Sequence, residues 1–213
     1  MAGPCTTYAA GTPTSDLGTE DVTIGGTLAT DCYGHASIAG NSLGAVETFA
    51  NTSLPATWGT NWDGFLRANA ADTGGSGAFA GLNFSISGLS VAANSGTFTL
   101  TVLDPDPLNP PSIPVVIDLL FTLKAATFTD FYFFDDLVLA GSNDGTYTVS
   151  ILNPPGNAFQ NLSDISLLGR DLRDVPDCRP GDPNCVQVPE PGTLALFGLG
   201  LLGLGLGRRR RWV

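Results

Sequence analysis

Pairs of carboxylates are the residues of this chain whose spacing could do acid and base chemistry: Asp104 with Asp106, Asp135 with Asp136, and Asp171 with Asp174. Hydrolysis of a glycosidic bond needs two carboxyl groups converging across a cleft, one to protonate the leaving group and one to activate water or to attack. Neighbours on a strand point to opposite faces, so Asp135 and Asp136 are expected to point apart. Asp104-Pro105-Asp106-Pro107 reads as a proline-rich connector. Nucleophilic catalysis has less to build on. The single histidine, His35, lies in Cys32-Tyr33-Gly34-His35-Ala36-Ser37, where no serine sits in a nucleophile-elbow pattern. The chain is therefore read as a non-enzyme.

Binding chemistry is better represented. Trp58, Trp62 and Phe65 fall close together, interleaved with Gly59, Asn61, Asp63 and Arg67. Aromatic faces flanked by amide and carboxylate groups are what a glycan platform uses, and core packing is the competing use of the same rings. Calcium takes hard oxygen ligands from loops, and Asp104 and Asp106 are the candidate ligands, with Asp16, Glu20, Asp21, Asp135 and Asp136 as further donors. No EF-hand or calcium-repeat spacing is present, so no cofactor is expected beyond an optional calcium. Asn51, Asn83 and Asn161 open Asn-x-Ser triplets, to which no function is attached.

Four cysteines fall as a pair near each end, Cys5 with Cys32 and Cys178 with Cys185, and these pairings are the favoured disulfides in an oxidising compartment. Of 20 acidic and 9 basic residues, all but Glu190 and Arg208 to Arg211 lie in residues 1–187, which leaves that body 19 acidic against 5 basic and a formal charge of −14. Such a surface excludes nucleic acid as a partner.

The elements that must hold these groups read as strands. Apolar and β-branched runs at Glu20–Ile24, Gly26–Cys32, Asp63–Ala70, Ala78–Leu89, Thr97–Leu103, Ile113–Ala125, Asp130–Leu139, Thr146–Leu152 and Ser163–Leu168 are separated by turn residues, with no helical period. Alternation through Thr97-Phe98-Thr99-Leu100-Thr101-Val102-Leu103 predicts one wet and one dry face. Asn143-Asp144-Gly145 predicts a hairpin turn. The fold class expected is all-β, an antiparallel β-sandwich of the jelly-roll kind, followed by a single C-terminal transmembrane helix. The expected division is a β-sandwich ectodomain over 1–175, a disulfide-closed linker over 176–187, and a C-terminal segment over 188–213.

That last segment is tripartite: Val188-Pro189-Glu190-Pro191, a stretch from Gly192 to Gly207 without a charge, and Arg208, Arg209, Arg210 and Arg211. As a helix the apolar stretch would span roughly 24 Å, slightly short of a bilayer core of about 30 Å. The arginines behind it would stay cytoplasmic and leave the body outside. Six of its residues are glycine, which is unusual in a simple anchor. An exported chain is also expected to begin with a basic and then an apolar leader region, a pattern absent from Met1-Ala2-Gly3-Pro4-Cys5.

The three parts in this order resemble the PEP-CTERM sorting signal of Gram-negative bacteria. The resemblance implies an exosortase that recognises Pro189-Glu190-Pro191 and cuts near it, an inner-membrane intermediate, and final placement at the cell surface or in the extracellular matrix. Two prolines fix the backbone as an extended peptide that a processing enzyme can grip. The second half of the body is similar to the ectodomains that often precede this signal, through Leu123-Lys124-Ala125, Phe131-Tyr132-Phe133-Phe134, Gly145-Thr146-Tyr147 and Leu162-Ser163-Asp164-Ile165-Ser166-Leu167, with Asp164 where such ectodomains tend to carry histidine. What the resemblance implies is a structural or adhesive role in exopolysaccharide, biofilm or floc. The alternatives are a lectin-like carbohydrate-binding module and, behind it, an exopolysaccharide-modifying hydrolase.

Overall fold

The computed structural model describes residues 5–7, 17–38, 40, 42–72, 74–89, 93–109, 111–152 and 158–175. They belong to one compact unit, Met1–Val175. The Cys178 and Cys185 pair, the sorting motif, the apolar stretch and the arginine cluster lie outside the described residues. No helix among the described residues is long and apolar enough to cross a membrane.

The unit is mostly β. Its strands are β1 (Thr6–Thr7), β2 (Val22–Ile24), β3 (Thr27–Leu28), β4 (Asp31–Ser37), β5 (Asp63–Asn69), β6 (Gly74–Phe79), β7 (Leu82–Ser87), β8 (Ser95–Leu103), β9 (Val115–Ala125), β10 (Phe128–Leu139), β11 (Ser142–Thr148) and β12 (Asp164–Asp174). They form one sheet in the order β1-β4-β10-β9-β12-β5-β6-β7-β8-β11-β2-β3, antiparallel except where β1 pairs with β4. Two-residue strands stand at both edges.

The expected sandwich of two sheets is replaced by a single curled sheet. Phe98 of β8 stacks on Phe121 of β9 at 5.0 Å although four strands separate them in the sheet, so its two halves face each other. Glycine makes the continuous bend possible between β5 and β6. A side chain at Gly75 or Gly77 would run into the backbone carbonyl oxygens of Arg67 or Phe65, so β6 can lie this close to β5 only without one.

Two apolar clusters fill the two sides of β9, and all eleven of its residues are buried. On the inner side Ile117, Leu119, Phe121 and Leu123 meet Phe84, Ile86, Phe98, Leu100 and Tyr147 across the curl. On the outer side Leu120 joins Tyr33, Phe131, Phe133, Leu168, Trp58 and Trp62. The near-continuous apolar run Val115–Ala125 is therefore a strand covered on both faces.

What covers the outer side corrects the reading that no helix is present. An α-helix, α1 (Leu43–Ser53), buries Val46 and Ala50 there and is capped by Ser42, whose hydroxyl accepts from the Ala45 amide at 3.2 Å. Its Thr, Asn and Gly content hid it, because packing rather than propensity stabilises it. The turn expected at Asn143-Asp144-Gly145 is also displaced, since these residues lie inside β11. Asn143 holds the preceding turn, donating to the Ala140 carbonyl at 2.8 Å and accepting from the Ala140 amide at 3.1 Å. Gly145 serves close approach instead, for a Cβ there would collide with the Phe98 ring and the Thr23 carbonyl.

Candidate functional site

The stretch Trp58–Arg67 divides by direction. Trp58, Trp62 and Phe65 turn inward, exposed by only 2, 2 and 7 %, so they do not form the expected glycan platform. A stacking platform needs open ring faces, and these are taken. Trp58 stacks on Phe133 at 5.4 Å and its indole N–H donates to Asp31 Oδ2 at 2.8 Å. Trp62 meets Phe133 edge-on at 5.7 Å. Phe65 lies in the inner cluster, away from the two tryptophans, against Phe79 and Phe84. Asn51 of α1 clamps the Trp62 backbone, accepting from its N–H at 2.8 Å and donating to its carbonyl at 2.9 Å.

Thr60, Asn61 and Asp63, the polar residues of the same stretch, point the other way and are exposed. They line an open concavity of about 540 Å³ together with Phe79, Arg170 and Asp171. Arg170 is fixed in its wall. Its Nε and one terminal nitrogen donate to Asp118 Oδ2 at 3.0 and 2.8 Å, and its guanidinium carbon lies 4.5 Å from the Trp62 ring centre.

Asp135 and Asp136 do not point apart. The β10–β9 register shifts between Phe134 and Leu137, so both aspartates bulge opposite Asp118, and Asp136 takes a left-handed φ of 51°. Asp118, Asp135 and Asp136 each bring a carboxylate oxygen within 4.8 Å of one another. Crowding shows in Asp135, whose pKa is raised by partial desolvation and then by the charges of Asp118 and Asp136. A second bulge, between Arg170 and Arg173 on β12, flanks β9 from the other side. Asp118 accepts from Arg170 and Asp136 from Arg173, so two of the three carboxylates already have cationic partners. The cluster could hold a hard cation only in competition with those guanidinium groups.

Asp104 and Asp106 stand in the loop after β8, where the Asp106 amide donates to Asp104 Oδ1 at 2.8 Å and Asn109 donates to Asp106 Oδ2 at 2.6 Å. Their carboxylates close the loop on itself. Asp171 is 69 % exposed, and Asp174 accepts from the Ser112 amide at 2.7 Å. Cys5 and Cys32 form a disulfide, as expected.

His35 is buried against Asp130, Nδ1 to Oδ1 at 2.7 Å. Burial pushes the Asp130 carboxyl above its ordinary pKa against the pull of His35. Nearby, Asp21 accepts from Ser150 at 2.7 Å, from the Gly18 amide at 3.1 Å and from the Tyr132 hydroxyl at 3.4 Å, and desolvation raises its pKa as well. No sequence motif marks this polar cluster, because its members come from separate strands and turns.

Residues 187–211 match the family model of the PEP-CTERM protein-sorting motif. No curated protein and no solved structure matches the chain. The motif suggests an exported protein that an exosortase processes.

Proposed function

We propose that the chain is delivered across the inner membrane, held there transiently, processed by an exosortase at Val188-Pro189-Glu190-Pro191, and placed at the cell surface or in an exopolysaccharide matrix. There its β-domain has a structural or adhesive role and performs no catalysis. The observation that carries this reading is the sorting motif at residues 187–211.

Three features of the body support it. The Cys5–Cys32 disulfide suits an oxidising compartment. The acidic surface keeps a displayed domain soluble, and the single lysine, Lys124, is withdrawn into the fold with its ammonium donating to the Gly40 carbonyl at 3.1 Å. Asp118, Asp136 and Asp164, which could have served as acids or bases, are paired with Arg170, Arg173 and Arg67.

Replacing Glu190 and Pro191 with alanine tests the sorting step. The variant is expected to stay in the membrane fraction at precursor mass. Normal release with the normal mature mass overturns the reading.

A further inference from the structure

We propose that the concavity lined by Thr60, Asn61, Asp63, Phe79, Arg170 and Asp171 binds a neutral pyranose sugar, either free or as a unit of a polysaccharide. Its volume of about 540 Å³ lies within the range of small-molecule sites, roughly 300–1,000 Å³. The inference goes beyond the sorting reading and does not depend on it.

The groups on offer set the ligand class. Among the described residues, the side chains of Thr60, Asn61 and Asp63 have no hydrogen-bond partner within the protein, so a hydroxyl, an amide and a carboxylate stand free in the lining. Asp171, mostly exposed, adds a second carboxylate 3.6 Å from Arg170. A ligand with both donors and acceptors spaced around a small ring satisfies this set.

Charge disfavours an anionic ligand. An anionic ligand would meet Asp63 and Asp171, while the Arg170 charge that might attract it is already spent on Asp118. A cationic ligand would meet those same carboxylates favourably, so charge alone does not separate it from a neutral one, and the cationic probe in the test below does. An uncharged polyol avoids the anionic penalty and uses the hydroxyl, the amide and the carboxylates together. Phe79 then separates a sugar from a simple polyol, because its half-buried ring lines the concavity and adds apolar surface for sugar C–H groups. Phe65 braces that ring from behind at 5.3 Å with an interplanar angle of 25°. Arg170 and Phe79 are thus preorganised, which lowers the entropy lost on binding.

The test uses the full-length chain in mild detergent and titration calorimetry. Probes are glucose, mannose, galactose and N-acetylglucosamine, the neutral hexasaccharides of glucose, mannose and N-acetylglucosamine, and oligogalacturonate and oligolysine as charged comparisons. The variant is N61G/D63A, since Asn61 stands at a φ of 68° where glycine removes the amide without strain. At least one neutral saccharide should bind, and the variant should bind it about tenfold more weakly or worse. Binding of monosaccharides would identify a terminal or free sugar; binding of hexasaccharides alone would identify a chain segment. No binding of any neutral saccharide, equal binding by the variant, or binding of the charged probes alone overturns the proposal.

Discussion

Arg170 carries its guanidinium 4.5 Å from the centre of the Trp62 indole, and the same group donates two hydrogen bonds to Asp118. One side chain thereby joins α1's apolar cover, the β12 bulge and the β10 bulge. Arg170→Ala leaves the buried Asp118 carboxylate without its cation and is expected to cost about 3–5 kcal/mol. Trp62→Ala, which empties the outer cluster, should cost about 3–5 kcal/mol by itself. Chemical denaturation of each variant checks these figures, and D118N/R170M should recover part of the first loss because it removes both charges together.

Reduction offers a second test. Cys5 and Cys32 are separated by 27 residues, and a closed loop of that size constrains the unfolded chain by about 3–4 kcal/mol. Cys5→Ser/Cys32→Ser should lower the denaturation midpoint accordingly. Added reductant should lower the midpoint of the native chain and leave the variant unchanged.

Gly145 is expected to be intolerant of even a methyl group. Its Cβ would meet the Phe98 ring and the Thr23 carbonyl together, one in the inner cluster and one in the neighbouring strand. Gly145→Ala should cost about 1–3 kcal/mol in thermal unfolding. Gly81, a turn glycine with open space around it but a φ of 89°, should lose stability on substitution through backbone strain alone.

Acidification should reveal the buried carboxyls. The folded pKa of Asp21 is raised chiefly by desolvation, so the folded chain binds this proton more tightly than the unfolded chain does. Its contribution to stability therefore grows as pH falls from the raised value toward the ordinary carboxylate range near 3.8 and is absent above it. Melting temperatures recorded from neutral pH to pH 4 should show native protein gaining relative to Asp21→Asn. A constant difference between the two would contradict the burial of Asp21 as the cause.

Strand content was readable where composition and period agreed. Thr97–Leu103 alternates and emerges as β8, and Val115–Ala125 is apolar throughout and emerges as the strand buried on both faces. Directions of individual side chains were less readable. Trp58, Asn61 and Trp62 lie in one short segment between α1 and β5, and only tertiary packing decides that the rings turn inward and the amide outward. Strand period sets Asp135 and Asp136 on opposite faces, a rule that holds only in regular strands. The bulge that unites them with Asp118 has no composition of its own. The helix Leu43–Ser53 was hidden because its sequence favours turns, and the β-surface beneath it supplies what propensity lacks. The sorting motif, by contrast, is local and linear, so its residues could be named without any knowledge of the fold.

One edge of the sheet is the two-residue strand Thr27–Leu28. Among the described residues, the rim at Thr27–Leu28 offers no long row of unpaired amides and carbonyls on which another copy could add its own strand. Copies brought side by side at that rim can therefore be crowded without adding strand to strand there.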